Sequence, residues 1–152
     1  MEHEVVKKES MHFIGITVRT QNDEAGGMMI AGVWDRFYRE KIFLKIPNAV
    51  SEDFFGIYFD YAGDHTKPYS LLVGCQVSSL EDVPKGMAGH FVPAASYAHF
   101  PVLGAFPDNL IATWQKIWQS DLKRTYQTDI EQYGPQFRSR LPLVDIFVGI
   151  KP

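Results

Sequence analysis

Glu131 is the residue whose neighbours in sequence could do chemistry. It lies in Thr128-Asp129-Ile130-Glu131-Gln132-Tyr133, a stretch of strand-like composition. Strand side chains alternate between faces, so Asp129, Glu131 and Tyr133 share one face and Ile130 takes the other. In Leu143 to Ile150, the residues Val144, Ile146, Val148 and Ile150 form a core-like face opposite Leu143, Asp145, Phe147 and Gly149. In the earlier stretch from Phe54, the set Phe54, Gly56, Tyr58 and Asp60 stands opposite Phe55, Ile57, Phe59 and Tyr61. Leu71, Val73, Cys75 and Val77 read as the core face of the next strand. With Ile130 taken as core-facing, the second faces gather Phe54, Tyr58, Tyr133 and Phe147 around Glu131. A plain solvated face would carry Lys, Glu, Thr and Ser instead. Two uses fit this pattern. One is an exposed sheet face with scattered aromatics. The other is a concave pocket of aromatics with a few polar groups, where a carboxylate and aromatic π-faces together favour a cation. The residues alone leave both open.

Other chemistry finds little support. Cys75 is the one cysteine, so no intramolecular disulfide or cysteine-based zinc site is possible. It sits in the apolar run Leu71-Leu72-Val73-Gly74-Cys75 and reads as a small buried hydrophobe. The histidines at 3, 12, 65, 90 and 99 form no ligand pair at helical spacing, so neither metal nor cofactor is expected. There is no G-x-S-x-G elbow and no glycine-rich phosphate loop opening a helix.

The elements that must position Glu131 follow from hydrophobic period. Val5-Val6 and Phe13 to Val18 form an extended stretch with a bend expected near Glu9-Ser10. Met28 to Leu44 has helical spacing through Ile30, Val33, Trp34, Phe37 and Tyr38. Phe54 to Tyr61 and Tyr69 to Val77 read as strands, joined by the loop-like Ala62 to Pro68. Ala88 to Phe100 is a third extended stretch, bent near Pro93. Pro107 and Asp108 suit the start of a second helix, whose stripe is Leu110, Ile111, Trp114, Ile117, Trp118 and Leu122. Strands at Thr128 to Tyr133 and Leu143 to Ile150 close the chain. The order is strand, helix, strand, strand, twice over. Trp34-Asp35-Arg36-Phe37-Tyr38 and Trp114-Gln115-Lys116-Ile117-Trp118 share the pattern W-x-x-apolar-aromatic. The expected fold is therefore α+β. Its two strand-helix-strand-strand units, about 1–80 and 85–152, each consist of a helix on an antiparallel sheet or half-sheet.

With 152 residues the chain fits one domain, 1–152, with its own core. A net charge of −3 argues against a nucleic-acid binder, whose footprint is basic. No signal-peptide core and no membrane-length apolar run is present, so a cytoplasmic location is expected. Aromatic residues make up 14% of the chain, more than an ordinary core requires.

The chain also resembles a known family, the GyrI-like small-molecule-binding domains. These form the effector-binding part of AraC-type and MerR-type multidrug regulators. Phe55-Gly56-Ile57-Tyr58-Phe59-Asp60-Tyr61 resembles the family's G-I-Y-x-D-Y strand, and Leu71-Leu72-Val73-Gly74 its next strand. Val83 to Met87 and Val92 to Phe100 resemble its P-x-G-M and I-P-A-G-x-Y-A-x-F segment, with Ser96 in place of the usual glycine. Leu110 to Trp118, Asp129 to Tyr133 and Val144 to Val148 are similar to its second helix, its F-E-x-Y strand and its closing strand.

The resemblance implies two pseudo-symmetric units, a central ligand cleft and a functional glutamate at Glu131. It further implies that aromatics stack on the ligand, the candidates here being Tyr58, Tyr133, Phe147, Trp34, Phe37, Trp114 and Trp118. The first expectation is a stand-alone sensor or sequestering protein for amphipathic small molecules, cations among them. It would have no direct nucleic-acid or membrane contact. The alternatives are a hydrolase of strained electrophilic natural products with Glu131 as general base, and a protein-interaction module acting on a partner such as gyrase or a regulator.

Overall fold

A computed structural model describes residues 2–152. The elements run β1 (Glu4–Lys8), β2 (Met11–Thr20), α1 (Glu24–Arg39), β3 (Phe54–Phe59), β4 (Tyr69–Val77), β5 (Ala88–Val92), β6 (Ala95–Leu103), α2 (Asp108–Trp118), β7 (Arg124–Tyr133) and β8 (Leu143–Ile150). Short 3-10 turns occupy Ile42–Leu44 and Pro135–Arg138. Among the described residues, the eight strands form one antiparallel sheet in the order β1-β6-β8-β7-β3-β4-β2-β5. That order reads the same from either end when the elements of the two halves are exchanged. The units are β2-α1-β3-β4 and β6-α2-β7-β8. They are half-sheets of a single sheet, joined where β3 runs against β7 with Ile57 opposite Ile130.

The two long extended stretches tie the halves together. β1 leaves its own unit to pair with β6, and β5 leaves its unit to pair with β2. Lys8 faces Ala95 before the bend and Met11 faces Val92 after it, so the register is carried across Glu9-Ser10 and Pro93-Ala94. Pro93 has no N–H to give to a ladder and suits this break.

Helix α1 begins and ends on local chemistry. Asp23 caps α1, its Oδ1 accepting from the Gly26 N–H at 2.7 Å. α1 therefore starts at Glu24, with Gly26-Gly27 inside its first turn rather than before it. It stops at Arg39, short of the expected Leu44, where Lys41 turns left-handed at φ 51°. β7 starts at Arg124, earlier than Thr128, and carries a bulge between Arg124 and Asp129. Leu122 falls outside α2.

Both faces of the sheet are buried. α1 and α2 cover one face, where Val33, Phe37, Leu110 and Ile117 meet Leu71, Val73, Val144, Ile146 and Val148. The other face carries a second buried cluster of Met11, Phe13, Phe55, Ile57, Leu72, Val92, Tyr97, Ile130 and Phe147. The ladder neighbours β2 and β4 run so close at Gly15 and Gly74 that a Cβ on Gly74 would stand 2.0 Å from the Ile14 carbonyl oxygen. The faces of β4 and β8 follow the sequence reading. Those of β3 and β7 are reversed: Phe54, Tyr58, Glu131 and Tyr133 lie on the helix side, and Ile130 lies opposite. Alternation separates two faces but cannot say which one the helices cover when both are apolar. Cys75 is buried as expected, and burial pushes its thiol up to about 11.

Candidate functional site

A cavity of about 780 Å³ opens between α1, α2 and the β3–β7 seam. That size is within the range of small-molecule sites. Glu131 forms its floor and is 2% exposed. Oε2 accepts from the Tyr58 hydroxyl at 3.0 Å and from the Trp114 indole N–H at 2.7 Å. Oε1 accepts from the Tyr133 hydroxyl at 2.7 Å. The three donors come from β3, α2 and β7 itself, so the site exists only once both halves are assembled.

Gly56 makes room for this carboxylate. It lies directly across the ladder from Glu131. A Cβ there would stand 3.2 Å from Glu131 Oε1 and 3.5 Å from both Leu71 and Trp34. The glycine of the G-I-Y motif thus has a packing reason.

Two opposed effects set the carboxyl's titration. Burial raises its pKa, while the hydrogen bonds from Tyr133, Trp114 and Tyr58 pull it down; the net shift is upward. Tyr58 and Tyr133 are pushed well above the ordinary phenol value, by burial first and then by the neighbouring Glu131 charge. They remain donors across the physiological range. An ionised carboxylate has about four lone-pair sites. Three are filled here, and the side chain borders open cavity.

The helical repeat pattern sorts itself against the cavity. Trp34 and Trp114, the first residues of the two W-x-x-apolar-aromatic runs, both line it. Tyr38 and Trp118, the last residues, line it as well. Phe37 and Ile117 between them point into the core, at 0% and 1% exposure. Phe37 is therefore packing, not cavity wall. Phe147 is also displaced from the expected site. It stands on the other sheet face, opposite Ile130 across the ladder, with its ring stacked on His99 at 4.5 Å. The structure thus brings Tyr58, Tyr133, Trp34, Trp114 and Trp118 to Glu131's cavity and leaves Phe37 and Phe147 out.

Several wall residues escaped the sequence reading. Tyr69 lines the cavity and stacks on Tyr58 at 5.5 Å and on Tyr61 at 5.4 Å. Its parity with Leu71 on β4 was the available signal. His65, Phe106 and Phe137 come from connections, where periodicity carries no information. Arg124 is also part of the wall. It pairs with the buried Asp129 at 2.7 Å, and Asp129 in turn accepts from the Tyr61 hydroxyl and the Gly149 N–H.

Both the chain and its fold match known proteins. The profile of the Cass2 family, integron-associated effector-binding proteins, matches residues 4–150. The chain belongs to that family, and its fold is that of GyrI-like effector-binding proteins. Similar solved structures include the integron cassette protein VCH_CASS2 from the mobile metagenome of Vibrio cholerae. It shows 24% identity and a TM-score of 0.74, with 98% of this chain and 95% of that one covered. SAV2435 bound to tetraphenylphosphonium is similar at 18% identity and a TM-score of 0.80, covering 99% and 94%. A Staphylococcus aureus MU50 protein named for transcription regulation is similar at 17% identity and a TM-score of 0.78, covering 100% and 99%. No curated protein matches the chain. No helix among the described residues is long and apolar enough to cross a membrane.

Proposed function

We propose that this chain binds amphipathic small molecules, cations among them, in the cavity above Glu131, and that it serves in the cytoplasm as a sensor or sequestering protein. One observation carries the reading. Glu131 is a buried carboxylate whose three hydrogen-bond partners are all neutral donors, and no cationic side chain pairs with it among the described residues. A buried charge without a countercharge is costly. A cationic guest would supply the missing charge, and Trp34, Trp114 and Trp118 offer π-faces beside it. Membership in an effector-binding family and a ligand-bound neighbour of the same fold support this use.

The test compares a cation with a neutral molecule of similar shape. Tetraphenylphosphonium and triphenylphosphine oxide are titrated calorimetrically into the wild type and into Glu131→Gln. Removing the charge weakens the cation about thirty-fold or more, and the neutral oxide by a small factor only. Equal losses for both ligands defeat the assignment.

A further inference from the structure

Glu131 shares the cavity wall with a second carboxylate. Asp23, in the β2–α1 connection, lines it as well. Tyr69 links the two. Tyr58, which donates to Glu131 at 3.0 Å, stacks on the Tyr69 ring at 5.5 Å. The Tyr69 hydroxyl in turn donates to Asn22 Oδ1 at 2.6 Å, and Asn22 is the chain neighbour of Asp23. Both carboxylates act on this ring. After burial, the charges of Glu131 and then Asp23 push the Tyr69 hydroxyl above the ordinary phenol value.

Asp23 resembles Glu131 in its partners. Oδ1 accepts from the Gly26 N–H at 2.7 Å and Oδ2 from the Gln21 side-chain amide at 2.6 Å. Both donors are neutral, and no cationic side chain pairs with Asp23 among the described residues. A carboxylate has about four acceptor sites, so capacity is left over. Unlike Glu131, Asp23 is exposed and stands at the rim. The positive end of α1 lies beside it, but that end amounts to only about half a unit charge. A net negative charge therefore remains there. The guanidinium on the wall, Arg124, is already paired with the buried Asp129 at 2.7 Å. The equivalent connection of the other half, β6–α2, contributes Phe106 and Pro107 to the wall and no carboxylate. The negative charge of the wall is thus confined to Glu131 and the start of α1.

We propose that the cavity takes a dication, an amphiphile whose first cationic centre meets Glu131 and whose second rests at Asp23 on the rim. This rests on the binding function proposed above and adds a second contact to it. An apolar spacer joins the two centres, because the stacked rings of Tyr58 and Tyr69 lie between the carboxylates. The centre at Asp23 keeps its contact with water. It contributes as an exposed ion pair does, about two- to five-fold in affinity.

Two series of triphenylphosphonium probes, with straight spacers from propyl to octyl, test this. In one the spacer ends in a trimethylammonium group, in the other in a tert-butyl group of the same shape. Calorimetric affinities give a dication-to-monocation ratio for each spacer in the wild type, in Asp23→Asn and in Asp108→Asn. Asparagine also caps, so Asp23→Asn keeps the start of α1. Asp108 opens α2 but is no part of the wall, so its variant removes the same charge elsewhere. For at least one spacer, the ratio is expected to fall about three-fold from the wild type to Asp23→Asn. It is expected to stay unchanged in Asp108→Asn, and in the wild type to shrink with added salt. A ratio equal in the wild type and Asp23→Asn at every spacer overturns the second contact. The Glu131 reading then still stands if the tert-butyl probes bind and lose affinity in Glu131→Gln. An equal fall in both asparagine variants overturns the second contact too, since the effect is then one of net charge. Failure of every probe to bind the wild type overturns the Glu131 reading and this one together.

Discussion

At Glu131 the burial and the hydrogen bonds pull in opposite directions, and each can be moved separately. The folded chain holds this proton to higher pH than the unfolded chain does. Between the ordinary carboxyl value and the raised one, the folded state carries more protons, so stability falls as pH rises through that window. In Glu131→Gln this slope should vanish, which thermal melts across the acidic to neutral range will show. Cation binding has the opposite sign. A bound cation favours the ionised carboxyl, so affinity should climb with pH across the same window and then level off. A neutral ligand should show no such climb. Trp114→Phe removes one of the bonds that pull the pKa down. Its affinity–pH curve should move to higher pH, and a curve that stays in place would show that the indole N–H does not hold the carboxylate.

At the scale of elements, α1 and α2 present their tryptophans to one cavity, and the start of α1 is set by a local cap. Asp23 fixes the start of α1 by accepting from the Gly26 N–H. Asp23→Ala should cost about 1 kcal/mol in urea unfolding, while Asp23→Asn, which also caps, should cost much less. β3 and β7 contribute differently, through their ladder. Gly56 sits opposite Glu131 and leaves the space its carboxylate occupies. A valine there is compatible with a strand but crowds Oε1. Gly56→Val should therefore weaken cation binding at least ten-fold while near-ultraviolet dichroism stays close to wild type. Unaltered binding would show that the carboxylate is not held in place by this gap.

At the scale of the molecule, the halves are joined by the β3–β7 seam and by the exchange of β1 and β5. Neither half keeps all its strands to itself, so unfolding should be one cooperative transition. Tryptophan fluorescence and far-ultraviolet dichroism should give the same urea midpoint. Ile130, paired with Ile57 at the seam and 1% exposed, should cost about 2–5 kcal/mol on truncation to alanine, without splitting the transition. Two separated transitions would show that the halves fold independently.

Much of this architecture was legible in the residues. Hydrophobic period placed both helices and the strands, and the bends at Glu9-Ser10 and Pro93 appear where the sequence marked them. Boundaries at α1 shifted because an aspartate cap and a left-handed lysine set them, and a local cap is invisible to a period. The grouping of Glu131 with Tyr133 followed from alternation, because residues of like parity on one strand must share a face; Tyr58 joins them only through the pairing of β3 with β7. Alternation could not decide which face the helices cover. Phe54-Phe55-Gly56-Ile57-Tyr58-Phe59 is apolar on both sides, as a strand buried on both faces must be. That ambiguity put Phe147 beside Glu131 when it belongs to the opposite face. Phe37 was a matter of helical angle, a turn's fraction away from the cavity that Trp34 and Tyr38 face. His65, Arg124, Phe106 and Phe137 reach the wall only through long-range pairing of β3 with β7 and the packing of connections upon it. The sequence by itself determined the elements, their order and the placing of Tyr133 beside Glu131 on one strand face, since these depend on short-range period and parity. The tertiary structure alone decided the cavity, its walls and the meeting of Tyr58 and Trp114 with Glu131, because these arise where segments far apart in the chain converge.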